Sequence, residues 1–280
     1  MTLSQQDKAT RFRALHEGTG AFVIPNPWDA GTARILEALG FEALATTSAG
    51  IAFSLGRRDG EGAVSREEAL AVTRRIVEAT ELPVSADLEN GYGDAPEDAA
   101  ETISLAAQTG LVGGSIEDAT GDPGRPIYEL LQAVERVAAA VEAARSLPFA
   151  FVLTARSENF LHGRPDLDDT IRRLQAFEAA GADVLYAPGL RDLEQVRTIC
   201  SSVSRPVNVV MGLTGGSFSV DELAAVGVRR ISVGGALSRA ALGAFIRAAR
   251  EIKERGTFTF ASEAVSHTEA NRFMAGRQAP

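Results

Sequence analysis

The chain has 280 residues and a formal net charge of −9, and 45% of its residues are hydrophobic, so it is long and apolar enough for a large core. The acidic balance argues against a nucleic-acid partner, and no apolar run reaches the roughly 20 residues of a membrane span. Cys200 is the only cysteine and residues 1–13 lack an apolar signal core, so we expect no intramolecular disulfide and a soluble, cytoplasmic protein without a membrane partner.

Short apolar runs bounded by polar or turn residues predict buried strands. In chain order they are Phe22–Ile24, Ala43–Thr47, Val84–Asp87, Gly113–Glu117, Phe149–Ala155, Val184–Ala187, Val207–Val210 and Arg230–Val233. The runs are continuous rather than alternating, which is typical of parallel strands covered on both faces. Amphipathic stretches between them, such as those around Ile76 and Leu174, predict helices.

Several helix starts carry recognisable signals. They are Ser65 with Glu68, Ser219 with Glu222, and Asn26 followed by Pro27. Outside the eight strand–helix units, residues 1–18 predict a leading helix and residues 257–280, including Ala261–Met274, predict a trailing helix. We expect the trailing helix to pack on a neighbouring subunit.

The alternation of eight strands with helices fits either a closed barrel or an open doubly wound sheet. The length is close to the roughly 250 residues that are typical of an eight-fold barrel. No G-x-G-x-x-G follows the first strand, which weakens the case for a dinucleotide-binding sheet. We therefore predict an α/β fold in which residues 1–280 form one TIM (β/α)8 barrel.

The predicted strand ends carry most of the polar groups with chemical potential. They are Asp59 beyond strand 2, Asp87 and Glu89 at strand 3, Glu117 at strand 4, Arg156 and Glu158 at strand 5, and Asn208 on strand 7. Carboxylates crowded on one rim raise one another's pKa, and a hard cation such as Mg²⁺ relieves this repulsion. The alternative is that each acid only caps a helix N-terminus.

Several segments resemble motifs of the isocitrate lyase / phosphoenolpyruvate mutase superfamily. Ser85–Gly93 resembles its D-x-D-T-G-[FYW]-G motif, Ile116–Asp118 its I-E-D, Thr154–Arg156 its A-R segment, Thr46–Gly56 with Asp59 its S-G-x and L-G-x-x-D loops, and Asn208 its strand-7 asparagine. The order and spacing match from about Phe22 to Arg250.

The resemblance implies a TIM barrel with a swapped last helix, in a dimer or tetramer, that uses Mg²⁺, with Mn²⁺ as a substitute, on a small 2-oxo acid or dicarboxylate. It implies Asp87 as the direct metal ligand, with Glu89, Glu117 and Asp59 holding metal-bound waters. It also implies a set of substrate-binding residues: Thr47, Ser48, Ala49, Arg156 and Asn208. The implied catalytic residues are Asp59, Glu89, Glu117 and Arg156.

The sequence also departs from the superfamily pattern. Glu89 replaces the second aspartate of the metal motif, and Asn90 is inserted before Gly91. Family lyases carry K-K-C-G-H in the gating loop after strand 4, with the cysteine as general acid. The corresponding loop here, Ala119–Pro126, contains no Cys, Lys or Asn. The resemblance therefore leaves the group that replaces this acid unidentified.

Mg²⁺ bound to a 2-oxo acid stabilises an enolate, which assists C–C cleavage, decarboxylation and C–P cleavage alike. Because decarboxylation can take its proton from water, we expect a lyase or decarboxylase of the oxaloacetate type. The alternatives are phosphoenolpyruvate or phosphonopyruvate chemistry, as in a carboxyvinyl-carboxyphosphonate phosphorylmutase, and 2-oxo acid binding without turnover. Gly215–Ser217 and Gly234–Gly235 resemble a barrel phosphate site but also fit tight turns.

Overall fold

The structure, a computed structural model, describes residues 3–212 and 216–276. Its eight strands are β1 (Phe22–Ile24), β2 (Leu44–Ala45), β3 (Val84–Asp87), β4 (Gly113–Glu117), β5 (Val152–Arg156), β6 (Val184–Tyr186), β7 (Val207–Val210) and β8 (Arg230–Ser232). They form one sheet in the order β1-β8-β7-β6-β5-β4-β3-β2, with every neighbouring pair parallel. The predicted barrel architecture is confirmed.

Helices follow the strands along the chain. They are α1 (Gln5–Glu17), α2 (Ala30–Ala38), α3 (Ser48–Ser54), α4 (Arg66–Glu78), α5 (Pro96–Ala107), α6 (Leu130–Arg145), α7 (Leu167–Ala179), α8 (Leu193–Ser202), α9 (Val220–Ala225), α10 (Ala236–Arg255) and α11 (His267–Met274), with a 3-10 turn at Thr259–Ser262. The capping boxes predicted at Ser65 and Ser219 are confirmed. None of the helices in the described part of the chain combines the length and apolarity needed to span a membrane.

The predicted helix cap at Asn26 is wrong. Helix α2 begins at Ala30, and its cap is Asp29, whose carboxylate accepts a hydrogen bond from the backbone N–H of Thr32. Pro27 therefore lies before the helix rather than in its first turn. The prediction fails because an asparagine next to a proline is an equally good partner for distant backbone groups, which sequence spacing does not show.

Asn26, just beyond β1, instead connects the ends of β2 and β8 through hydrogen bonds of its side chain. Its amide nitrogen donates to the carbonyl oxygen of Thr46 at 3.0 Å, just beyond β2. Its amide oxygen accepts the backbone N–H groups of Val233 and Gly234, both at 2.8 Å, just beyond β8. Because the backbone N–H of Gly234 already donates to Asn26, it is not free to bind a phosphate, and the structure favours a tight turn at Gly234–Gly235. Gly215 lies outside the described residues.

Helix α1 closes the amino-terminal end of the barrel. Phe12 is fully buried and packs in one cluster with the inward-facing residues Ile24, Val152 and Val184. Gly113 on β4 leaves space for this ring, since a Cβ there would lie 2.7 Å from Cε1 of Phe12. The leading helix predicted over residues 1–18 is thus confirmed, with shorter bounds, as a plug.

The trailing segment differs from the single helix predicted over Ala261–Met274. It contains the short 3-10 turn and then α11, which contacts α2 of the same chain through Met274, Gly31 and Arg34. Neither helix at this end of the chain is well covered: within Ala236–Arg255, all of which the structure describes, only Ser238 is buried, and α11, also described throughout, has no buried residue. The trailing helix is therefore exposed, as is α10, the helix that precedes it.

We predict that Phe12→Ala lowers the free energy of unfolding by about 3–5 kcal/mol, because it leaves a cavity in the barrel plug. Urea denaturation followed by circular dichroism measures the change. Arg11→Ala, one residue away on the exposed side of α1, is the matched control and should stay within about 0.5 kcal/mol of the wild type. Equal losses in both variants would contradict the plug.

Candidate functional site

A cavity of about 430 Å³ opens at the carboxyl ends of the strands. The predicted site residues that line it are Thr47, Ser48, Ala49, Asp59, Asp87, Arg156 and Asn208. These residues come from segments separated by up to about 160 positions, and the parallel barrel brings them together because all its strands end on the same rim. Glu89 and Glu117 are not among the lining residues, but Glu117 lies 3.3 Å from Arg156 and Glu89 feels the charges of Asp87 and Asp59.

Asp87, at the end of β3, is held in a fixed orientation. Its Oδ2 accepts hydrogen bonds from Ser48, at 2.9 Å from the hydroxyl and 3.3 Å from the backbone nitrogen. Its Oδ1 accepts from Nη1 of Arg156 at 2.8 Å. Its own backbone N–H donates to the hydroxyl of Thr46 at 3.1 Å. The carboxylate therefore joins the β2 loop to the β5 arginine.

Arg156 is the cation around which the acids are arranged. Besides Asp87, its Nη2 lies 2.8 Å from Oε1 of Glu158 and 3.3 Å from Oε2 of Glu117. The guanidinium carbon sits 4.9 Å from the centre of the Tyr186 ring, a cation–π contact. Because the Arg156 side chain is only 12% exposed, these contacts are little weakened by solvent.

The acids outnumber this cation, and their pKa values move accordingly. Burial, together with the charges of Asp87 and Asp59, raises the pKa of Glu89 to about 7. Burial and the charge of Asp87 also raise the pKa of Asp59. Burial raises the pKa of Glu117 against the opposing attraction of Arg156. The ionised forms of these acids are thus disfavoured unless a further positive charge is supplied.

This donor set fits a cation held mostly through water. Among residues 3–212 and 216–276, no three His, Cys, Asp or Glu side chains form a cluster of direct metal ligands. Mg²⁺ keeps several waters and takes one or two carboxylates, so a single direct ligand with further acids behind it suits its chemistry. Burial first, and then repulsion from Asp87, raise the pKa values of Glu89 and Asp59, and a bound cation would favour the ionised form of both acids.

The backbone at Glu89 explains how the altered metal motif fits. Glu89 has φ 49°, in the left-handed region that non-glycine residues rarely adopt. Its carbonyl accepts the backbone N–H of Glu117 at 3.0 Å, which ties the end of β3 to β4. The inserted Asn90 donates from its side chain to the Tyr128 hydroxyl at 3.3 Å. The longer motif is therefore accommodated in a strained turn with its own polar partners.

Asn208 lines the cavity as predicted, but its amide is already engaged within the barrel. Its Oδ1 accepts from Nε of Arg230 at 2.9 Å, and its Nδ2 donates to the hydroxyl of Ser232 at 3.0 Å. Sequence reasoning missed Arg230, Ser232 and Tyr186 as lining residues. The available signal was an arginine at the start of a predicted buried strand, a position where an unpaired charge is costly.

The loop Ala119–Pro126 is closed on itself. The backbone N–H of Thr120 donates to the carbonyl of Pro126 at 3.0 Å, and the Thr120 hydroxyl donates to the carbonyl of Arg125 at 2.6 Å. Among the described residues that line the cavity, none belongs to this loop. Phe53 and Leu161 border the cavity instead.

We predict that Glu89→Gln flattens the pH dependence of stability. Because the folded-state pKa is raised from 4.5 to about 7, ionising Glu89 disfavours the folded state, and the wild type loses stability as the pH rises through this window. In EDTA, the variant should gain stability relative to the wild type between pH 4.5 and 7 in urea titrations.

Glu78→Gln, at an exposed helical position, is the control and should follow the wild-type profile. Added Mg²⁺ should reduce the difference between wild type and Glu89→Gln, since the ion takes over the neutralisation. Parallel wild-type and Glu89→Gln profiles in EDTA would show that the repulsion is not present.

Comparison with known proteins gives the same architecture. A solved structure from Burkholderia cenocepacia, described in general terms as a lyase/mutase, superposes with a TM-score of 0.94 at 62% identity and covers 97% of each chain. The 2-methylisocitrate lyase of Shewanella oneidensis is 30% identical over 230 residues, 79% of this chain and 77% of that one. The oxaloacetate decarboxylase of Chromohalobacter salexigens is 28% identical over 261 residues, 90% and 88% of the two chains.

The family model for phosphoenolpyruvate phosphomutase matches residues 12–253, which contain all eight strands and every lining residue of the cavity. These relatives include a lyase and a decarboxylase, so the family relationship supports an enzyme without choosing its reaction. The chain belongs to the phosphoenolpyruvate mutase family, within the isocitrate lyase / phosphoenolpyruvate mutase superfamily.

Proposed function

We propose that the protein is a Mg²⁺-dependent carbon–carbon lyase or decarboxylase that acts on oxaloacetate or a similar 2-oxo dicarboxylate. The observation that carries this proposal is the acidic group of Asp59, Asp87, Glu89 and Glu117 beside the buried cation Arg156, at a cavity of substrate size. The acids suit a metal ion that a 2-oxo acid can chelate, and the neighbouring arginine suits a carboxylate of the same substrate.

In this proposal Asp87 is the direct metal ligand, and Glu89, Glu117 and Asp59 hold metal-bound waters. Mg²⁺, or Mn²⁺ in its place, supplies a Lewis acid that stabilises an enolate formed from the 2-oxo acid. Asp87 already faces the cavity, with its two oxygens oriented by Ser48 and Arg156. The carboxylate that receives the ion is thus preorganised by its neighbours.

The remaining site residues orient the substrate. Arg156 directs Nη1 to the cavity-lining carboxylate of Asp87, so an incoming carboxylate can share or replace this contact. Thr47, Ser48 and Ala49 form the wall at the start of α3, and their backbone N–H groups are the proposed donors to the substrate carboxylate. The N–H of Ser48 would exchange its contact with Asp87 for this one. Asn208 lies on the opposite side of the barrel interior.

The loop after β4 favours decarboxylation over cleavage that needs a protein acid. Ala119–Pro126 has neither a cysteine nor a place in the cavity lining. Cys200 lies on α8, where burial raises the pKa of its thiol to about 11, so it does not replace the missing acid. Decarboxylation of a 2-oxo dicarboxylate needs only an electron sink and a proton that water can supply.

We predict that the protein with Mg²⁺ converts oxaloacetate to pyruvate well above the spontaneous rate, as followed by proton NMR. Asp87→Ala should lower the rate at least about 100-fold, because it removes the proposed ligand of the ion. Asp168→Ala, an exposed aspartate on α7, is the control and should leave the rate unchanged. Chelation with EDTA should reproduce the effect of Asp87→Ala.

The same NMR screen includes 2-methylisocitrate, dimethylmalate, phosphonopyruvate and phosphoenolpyruvate. Turnover of the phosphorus compounds alone, seen by phosphorus NMR, would replace the proposal with C–P chemistry. Oxaloacetate loss at the spontaneous rate, with Mg²⁺ present, would contradict the decarboxylase. Tight binding of 2-oxo acids without any product would instead indicate a binding protein.

We also propose that the protein is a homo-oligomer in which α10 packs on a second copy of the chain. Apolar side chains on this helix face solvent, with Phe245 71%, Ile246 44% and Ile252 42% exposed. A helix that follows β8 would ordinarily cover the barrel with such a face. A second copy with the same uncovered helix offers a self-complementary surface.

We predict that Phe245→Asp lowers the oligomer mass measured by light scattering after gel filtration, because it places a charge in the proposed apolar contact. Leu131→Asp, at another exposed apolar position with 70% exposure, is the control and should leave the mass unchanged. A monomeric wild type, or an unchanged mass for Phe245→Asp, would contradict the α10 contact.

A further inference from the structure

Arg230, at the start of β8, is a buried cation below the proposed substrate cavity. Its residue is only 5% exposed, and it contributes to the cavity lining. It lies on the side of the barrel formed by β7 and β8, whereas Asp87 and Glu117 lie on β3 and β4. The cavity is therefore acidic on one side and basic on the other.

The contacts of Arg230 are all with neutral groups. Its Nε donates to Oδ1 of Asn208 and its Nη2 to the hydroxyl of Thr154, each at 2.9 Å. Its Nη1 lies 3.4 Å from Nε2 of His16. Nδ1 of His16 lies 2.8 Å from the carbonyl of Phe12, and burial lowers the pKa of this imidazole to about 3. His16 is therefore a neutral acceptor toward Arg230.

No carboxylate pairs with Arg230 in the described ranges 3–212 and 216–276. Burial lowers its pKa to about 10, with a smaller contribution from Arg156, so the guanidinium remains charged at neutral pH. An isolated charge inside a protein is costly unless a counter-charge is supplied. Arg156, by contrast, has three carboxylates within 3.3 Å.

We propose that Arg230 provides the positive charge for the second carboxylate of the substrate and sets the preference of the site for dianions over monoanions. This inference rests on the proposed function and deepens it, because it assigns the two ends of a 2-oxo dicarboxylate to two sides of the cavity. The chelating end belongs with the acids and the metal ion, and the second carboxylate with β7 and β8.

Arg230 acts on the substrate partly through Asn208, as a positioning residue. The Nε–Oδ1 hydrogen bond fixes which way the Asn208 amide faces, since an arginine only donates. The amide nitrogen of Asn208 has two hydrogens and donates one of them to the hydroxyl of Ser232, so the second can donate to a ligand. The buried charge of Arg230 adds an attraction that weakens slowly with distance in this poorly solvated interior.

Two variants separate the charge of Arg230 from its hydrogen bonds. Arg230→Gln keeps polar contacts and removes the charge, and Arg230→Lys keeps the charge. Calorimetry in Mg²⁺ measures the binding of 3,3-difluorooxaloacetate, a dianionic analogue, and of pyruvate, which lacks the second carboxylate. We expect Arg230→Gln to weaken dianion binding by about 10- to 100-fold and pyruvate binding by less than about 3-fold, with Arg230→Lys recovering most of the loss.

The melting temperature of the ligand-free variants provides a second readout. Because Arg230→Gln removes an uncompensated buried charge, it should melt at or above the wild-type temperature. If Arg230→Gln loses affinity for the dianion and for pyruvate equally and also melts at a lower temperature, Arg230 has only a structural role. That result would overturn the inference. Unchanged dianion binding by Arg230→Gln would also overturn it while leaving the proposed function intact. A wild type that binds neither ligand would overturn both.

Discussion

The ion pairs of Arg156 are the interaction on which the carboxyl rim of the barrel depends. Strands β3 and β4 end in Asp87 and Glu117, and Glu158 follows β5, so parallel topology forces like charges together. One guanidinium within 3.3 Å of all three holds them in place. It neutralises only part of their charge, which leaves a rim that is ordered and still attractive to a cation.

The fold was largely predictable because its determinants are local. Short apolar runs and helix caps such as Ser65 depend on neighbouring residues, and the eight strands lie within three residues of their predicted starts. Closure of the barrel was not predictable in the same way. Asn26 contributes to this closure through partners that are 20 to 208 positions away, which its position next to Pro27 does not reveal. The exposure of α10 was not predictable either, because its apolar residues have the pattern of a helix that covers the barrel.

The acidic half of the candidate site was predictable and the basic half was not. Asp87 and Arg156 end strands and Asp59 lies beyond one, where a parallel barrel gathers its polar groups, and the motifs drew attention to them. Arg230 lies inside the run that predicted strand 8, where position alone indicates core. Its side chain contacts only neutral groups, on β5, β7 and α1. The absence of a carboxylate partner among the described residues is visible only in the three-dimensional structure.

The contact between His16 and Arg230 also has a consequence for how the chain folds. The two residues are 214 positions apart, so the floor of the cavity joins the first helix to the last strand. Such a contact carries a high loop-closure entropy and forms late, after the intervening units have ordered. During synthesis the first helix would wait for β8 to leave the ribosome before its imidazole finds this partner. The floor of the cavity would then be among the last parts of the barrel to mature.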